Sequence, residues 1–263
     1  MNGKRPNTTS APQDAGGFCR TPKRHVQWAA VLTVLTVFSV AQTATYADTV
    51  DVQFLGLKGG AIDTNLGNGG AGAFKWKKIS GSALPYADDS EFLSFCIDIF
   101  EHVNTSGPST YNVVDPADAP NNLMMGAAKA GLMSHWFGSY YKGNSWDNWT
   151  SSEARAFQMG VWEIVYEDLN LIGDLFNTNH SFYINGPESV RSVAQDWFND
   201  VTWRTGNTLS LAAISSPSGD ATGRYQDQIV VVPLPAAFAA GLPLLGGLGL
   251  ARRVRGRRRV AVA

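Results

Sequence analysis

Residues Leu234 to Ala251 form an uncharged, largely apolar run of 18 residues that ends directly on six arginines, Arg252, Arg253, Arg255, Arg257, Arg258 and Arg259. This order constrains the chain more than any other feature in it. An apolar run closed by an arginine cluster is held with its basic end on the cytoplasmic side of a membrane, so everything before it is expected outside the cytoplasm. The run is at the short end of what crosses a bilayer, about 17 to 25 residues. It also contains Pro235, Pro243, Gly241, Gly246, Gly247 and Gly249, which lower helix propensity and favour a transient span over a permanent, tightly packed one. An ordinary C-terminal membrane helix is the plain alternative.

The other end reads as an export signal. Lys4, Arg5, Arg20, Lys23 and Arg24 make a long positive region, Trp28 to Ala41 an apolar core, and Thr45-Tyr46-Ala47 a small-residue cleavage site, so that 1–47 is a signal peptide and the mature chain starts near Asp48. An uncleaved anchor fits less well, because the core is short and runs into the polar stretch Gln42 to Thr45. Between Asp48 and Pro233 ten Lys and Arg then face 21 Asp and Glu, a net charge of about −11 hidden behind the −1 of the whole chain. Such an acidic exported region repels nucleic acid and anionic membrane surfaces, and both are excluded as partners of it. Its length of roughly 185 residues suits one large or two small domains. Seven of the chain's eight tryptophans lie in it, which argues for a packed core rather than disorder.

Within this region Val50 to Leu57, Ala73 to Ile79 and Glu91 to Glu101 are apolar or alternating and read as strands. Alternation along the third puts Phe92, Ser94, Cys96, Asp98 and Phe100 on one face and Leu93, Phe95, Ile97 and Ile99 on the other. Asp118 to Phe137 reads as one or two helices capped by Asp118, with weak points at Gly126 and Gly131. Tyr140 to Trp149 is a Gly, Asn and aromatic-rich loop. Thr150 to Asp168 carries the strongest helix pattern, with Thr150 and Glu153 spaced as a capping box. Its stripe is Phe157, Val161, Ile164 and Val165, with Gln158 at the stripe's edge and acidic Glu163, Glu167 and Asp168 on other faces. A helix from Pro187 to Trp203 follows, then strands over Leu209 to Ile214 and Gln226 to Val232, with a turn at Pro217-Ser-Gly219. The pattern predicts an α+β fold of mixed strands with a helical subdomain, flanked by an N-terminal signal helix and a C-terminal transmembrane helix.

Cys19 precedes the signal core and leaves with it, so Cys96 is the one thiol of the mature region. An unpaired cysteine in an oxidising compartment calls for burial, intermolecular pairing or chemistry, and burial is the plain expectation. A half-buried Gln158 likewise needs a partner.

Two resemblances bear on these residues. Val232, Pro233, Leu234, Pro235 and Ala236, with the Gly-rich apolar run and the arginines, resemble the VPLPA variant of the PEP-CTERM sorting signals of Gram-negative bacteria. That resemblance implies processing by an exosortase-type protease during passage through the inner membrane, followed by delivery to the cell surface or extracellular matrix. Phe95-Cys96-Ile97-Asp98 on a strand and Phe157-Gln158-Met159-Gly160-Val161-Trp162 on a helix resemble the Cys-Gln thioester domains of bacterial surface proteins. This resemblance implies a thioester-domain-like fold over roughly Val50 to Ile214, with an internal thioester between the Cys96 sulfur and the Gln158 side-chain carbonyl. An amine or hydroxyl on a target would attack that carbonyl and expel the sulfur, in a shallow aromatic-lined site that excludes water. The family usually has Thr just before the Gln and Ala two residues after it, where this chain has Phe157 and Gly160; Trp162 is retained.

The predicted organisation is therefore a signal peptide 1–47, a thioester-like extracellular domain 48–214, a linker 215–231, a sorting signal 232–259 and a tail 260–263. Other chemistry finds little footing. Asp88, Asp89 and Glu91 as calcium ligands, and Asp98 with Glu101 as an acid-base pair, lack a recognised spacing and read as solvated surface. His102 and His135 are candidate proton carriers. The aromatics from Trp136 to Trp149 suit either sugar stacking or core packing. No HExxH, CxxC, P-loop or nucleophile elbow occurs, so no catalytic residue, metal or cofactor is expected and the chain is not read as an enzyme. Two functions stay open: a sorted surface protein that attaches covalently through Cys96 and Gln158, or a structural or polysaccharide-binding matrix protein without covalent chemistry.

Overall fold

The computed structural model describes residues 49–217 and 225–233. The signal peptide, the mature start at Asp48, most of the turn after Pro217, the sorting residues from Leu234 to Ala236, the apolar run and the arginines lie outside the described residues. The described chain is α+β. Six antiparallel strands, β1 (Thr49–Thr64), β2 (Gly67–Ser80), β3 (Glu91–Cys96), β4 (Pro108–Val114), β5 (Leu211–Ser215) and β6 (Gln228–Val231), close a barrel in the order β1-β2-β3-β6-β5-β4. Three helices pack beside it: α1 (Gly126–Tyr140), α2 (Ser151–Tyr166) and α3 (Glu188–Asn199). Among the described residues no helix is long and apolar enough to cross a membrane.

The first two strands are much longer than their apolar patterns suggest, because they form one hairpin that leaves the barrel and continues along α2. Gly59 and Gly72 face each other across it. A Cβ at Gly59 would lie 1.9 Å from the Ala71 carbonyl oxygen, and one at Gly72 would lie 2.1 Å from that of Lys58. Glycine is therefore required at both, and it lets the ribbon bend where the backbones approach closely. The hairpin tip is held by bonds from Asn65 N to Tyr183 O (3.1 Å) and from Asn185 N to Asp63 O (2.9 Å). Pairing of β2 with β1 runs on to Gly67, whereas its pairing with β3 ends at Phe74 opposite Ser94. That divergence sets up the site described below.

Helix α2 starts where its cap predicts. Glu153 N donates to Thr150 Oγ1 (3.2 Å) and Thr150 N to Glu153 Oε2 (3.0 Å), a complete capping box worth about 1 kcal/mol. Lys142 bonds the same carboxylate (2.6 Å), and these contacts hold the Glu153 carboxyl down to about 2. The body of the helix departs from the expected single stripe: Ala154 and every residue from Ala156 to Val165 are buried, including Gln158 and Glu163. It is the central helix, enclosed by the long hairpin, β3, α1 and α3.

Other elements differ at their ends for local reasons. β3 stops at Cys96 because Asp98 Oδ1 takes the Phe100 amide (3.0 Å) and turns the chain. Asp115, not Asp118, provides a cap, on a short 3-10 turn over Pro116–Asp118, and α1 begins only at Gly126. α3 ends at Asn199, where Asp200 opens a 3-10 turn over Val201–Thr205. The β4 segment is short and lacks an apolar run, although its Ser109, Tyr111 and Val113 alternate inward. The stretch expected as a linker, 215–231, instead includes the end of β5 and all of β6, which pairs with both β3 and β5, so the barrel runs through Val231.

Candidate functional site

Strand β3 divides two environments. Phe95 turns to the helices, with its ring 5.8 Å from Phe137, 5.4 Å from Trp149 and 4.5 Å from Phe157. Ser94 turns the other way, accepting from Trp76 Nε1 (2.6 Å) and donating to Gln228 Oε1 (2.8 Å). Cys96 follows as the last residue of the strand, and by the same alternation its peptide groups point toward the edge that β2 has left. A buried peptide without partners there would be costly. Gln158 of α2 fills the gap: its Oε1 accepts from Cys96 N (2.8 Å) and its Nε2 donates to Cys96 O (2.7 Å). One carboxamide thus replaces a strand at the position where the backbone of Cys96 would otherwise be bare.

The thiol lies among the same groups. Cys96 Sγ donates to Asp98 O (3.1 Å) and accepts from Trp162 Nε1 (3.4 Å), and Trp162 sits one helical turn beyond Gln158. Cys96, Gln158 and Trp162 are all fully buried, so the pair sits in the interior rather than in a shallow aromatic-lined depression. Burial pushes the Cys96 thiol far up, against the lowering effect of the Trp162 bond; the charges of Asp98 and Asp227 act with burial. The sulfur is therefore a neutral thiol in the folded chain.

Two buried carboxyls adjoin it. Asp98 is buried, not solvated surface as its sequence context suggests, and Asn122 Nδ2 stands 3.3 Å from each of its oxygens. Asp227 accepts from Asn121 N (2.8 Å), Ser216 N (2.8 Å) and Ser215 Oγ (3.0 Å); burial raises its pKa against these bonds. A second buried glutamine, Gln228, stands opposite Cys96 on β6, but its amide is committed to Ser94 and to Gln226 Oε1 (2.9 Å). Nothing in its local sequence distinguishes it, whereas Trp162 stands in the Gln158 motif at i+4 spacing.

The remaining candidates stand apart. His102 is exposed, and His135 Nδ1 lies 3.1 Å from Gly206 O. Asp88, Asp89 and Glu91 pair with Lys78 (3.1 Å), Lys77 (2.6 Å) and Lys75 (2.6 Å) on β2. Among the described residues no three His, Cys, Asp or Glu side chains are grouped to hold a metal ion. Trp136 and Trp149 are core residues, and the Tyr140 ring stacks on Trp197 at 5.0 Å.

Glu163 is a polar group that the helix pattern conceals. It is fully buried, with Oε1 accepting from Gly173 N (2.8 Å) and Oε2 without a partner. Burial pushes its carboxyl from 4.5 up to about 8, and Glu167 adds to the rise against the bonds from Gly173 and Asp174. The folded chain therefore keeps a proton that the unfolded chain releases, and stability should fall as pH rises from 4.5 through about 8. Glu163→Gln is expected to flatten that fall and to gain on the order of 2 kcal/mol at pH 8, measured by urea unfolding at pH 5 and 8. Equal pH slopes in the two proteins would rule out the neutral carboxyl.

No protein-family model matches the chain, and no curated protein matches it. Its chemistry has to be argued from the geometry.

Proposed function

We propose that this is an exported surface or extracellular-matrix protein, sorted through its C-terminal signal by an exosortase-type system, whose Cys96 and Gln158 form an internal thioester for covalent attachment. On this reading the barrel and its central helix are a thioester-like domain, and the target is an amine or hydroxyl on a surface molecule or polysaccharide. The observation that carries it is the reciprocal pairing of the Gln158 carboxamide with the Cys96 peptide, beside the Cys96 thiol. Export and sorting are supported by the charge and hydropathy pattern of the two ends.

The pairing suits the chemistry. Attack of Cys96 Sγ on Gln158 Cδ forms the carbon–sulfur bond, passes negative charge to Oε1 and releases Nε2 as ammonia with the thiol proton. The Cys96 N–H already bonded to Oε1 is aimed at the atom on which that charge develops. Dry surroundings protect the product from hydrolysis. Thiolate is a far better leaving group than an amide nitrogen, so the thioester stores reactivity that the original glutamine lacks. Each molecule reacts once, which is attachment rather than turnover.

Intact mass of the exported protein tests the reading. The expected result is a deficit of one ammonia that Cys96→Ala and Gln158→Ala both abolish. A full-mass protein whose Cys96 reacts with thiol reagents once the chain is unfolded would overturn it. A second reading, a non-covalent structural or polysaccharide-binding matrix protein, is favoured by the structural task that the intact Gln158 amide performs on the Cys96 backbone. Glycan binding that survives Cys96→Ala, together with an unchanged full mass, would support it.

A further inference from the structure

We infer that Trp162 is a catalytic residue of the acyl transfer, its indole N–H stabilising the Cys96 sulfur as that atom leaves the Gln158 carbonyl. This rests on the reading of Cys96 and Gln158 as a thioester pair. In the attachment step the target nitrogen attacks Gln158 Cδ, a carbon–nitrogen bond forms, and the Cδ–Sγ bond breaks with its electron pair going to sulfur. The proton released by the amine then converts the sulfur to the Cys96 thiol, leaving an amide. Between those events Sγ carries negative charge in a fully buried place.

The surroundings of Sγ make that charge expensive unless a donor meets it. Asp98 O can accept a proton from the thiol but cannot stabilise an anion, and the carboxyls of Asp98 and Asp227 oppose one. Among the described residues the side-chain donor on Sγ is Trp162 Nε1, at 3.4 Å. The contact is not a general habit of the tryptophans here, since the buried indole nitrogens of Trp136 and Trp203 have no partner. The Trp162 ring lies over Gly69 of β2, where an added Cβ would meet its Cη2 at 3.5 Å. It also rides on the same helix as Gln158, so one element carries both the donor and the acyl carbon. The labour divides cleanly: the Cys96 N–H serves the carbonyl oxygen, and the Trp162 N–H serves the leaving group.

Methylamine aminolysis of the purified exported protein, followed by intact mass, tests the role. Two variants are compared with the parent: Trp162→Phe, and Trp162 replaced by 3-benzothienylalanine, which keeps the shape of the indole and removes only its N–H. Both are expected to form the thioester and to react with methylamine about ten- to hundredfold more slowly. An isosteric variant that folds but keeps its ammonia would contradict that expectation and overturn the assignment of Trp162 to the leaving-group step. In the parent, the nitrogen-15 resonance of the Trp162 indole is expected to move on aminolysis, a signature that a purely structural tryptophan would not give. An isosteric variant that forms the thioester and reacts within about twofold of the parent rate would overturn the inference. A parent protein with no ammonia deficit would overturn the thioester reading itself, and the role of Trp162 with it.

Discussion

Gly160→Ala is expected to destabilise the protein by about 3 kcal/mol. A Cβ at Gly160 would lie 2.0 Å from Trp136 Cζ2, 2.4 Å from Cε2 and 2.7 Å from Cη2. These are ring atoms in the middle of the α1–α2 contact, not the tip of a flexible side chain. The Trp136 ring cannot retreat, because it is stacked on Phe198 at 4.6 Å and met edge-on by Trp203 at 5.4 Å. Overpacking of that kind displaces a whole aromatic cluster. Urea unfolding of Gly160→Ala, and of the same change combined with Trp136→Phe, checks the argument. The smaller ring should recover part of the loss, so that the double change costs less than the sum of the two single changes. A Gly160→Ala protein that unfolds at the parent's midpoint would show that α1 and α2 are not packed this closely.

Gln158→Ala is expected to be costly for a different reason. It would remove no large apolar volume, yet it would strip both partners from the fully buried Cys96 peptide. Each unsatisfied buried group costs about 1–3 kcal/mol, so a loss of about 3 kcal/mol is expected for the pair. Cys96→Ala removes one buried sulfur and leaves the Gln158 bonds to the backbone in place; about 1 kcal/mol is expected. The asymmetry is independent of whether the thioester forms, provided that both variants are compared with Cys96→Ser, which cannot form a thioester. Equal losses from Gln158→Ala and Cys96→Ala in urea unfolding would mean that the carboxamide does not complete the strand edge.

The parts of the fold that could be read directly are those governed by neighbours in sequence. The Thr150 cap with Glu153 follows from spacing alone, and it forms as expected. The alternation of Ser94 and Phe95 likewise follows from strand geometry, with one turned to Trp76 and Gln228 and the other to the aromatic cluster. What could not be read depended on partners far along the chain. The β4 segment is short and polar, and becomes a strand because β1 and β5 flank it. Residues 225–231 look like a linker until β3 and β5 supply their bonds. Asp98 and Glu163 have the composition of surface residues and are buried because the helices and loops of other segments close over them.

By itself the sequence determined the local periods, the helix cap, the acidic balance between Asp48 and Pro233 and the presence of one cysteine there, because each is a property of consecutive residues or of composition. Only the tertiary structure decided that Cys96 ends its strand just where β2 turns away, that Gln158 supplies the missing edge, and that Trp162 meets the sulfur. Cys96 and Gln158 are 62 residues apart. A helix pattern specifies which face Gln158 lies on, but not which strand end will be left without a partner. That vacancy opens where β2 stays paired with β1 while its pairing with β3 ends at Phe74, and the Gln158 carboxamide fills it.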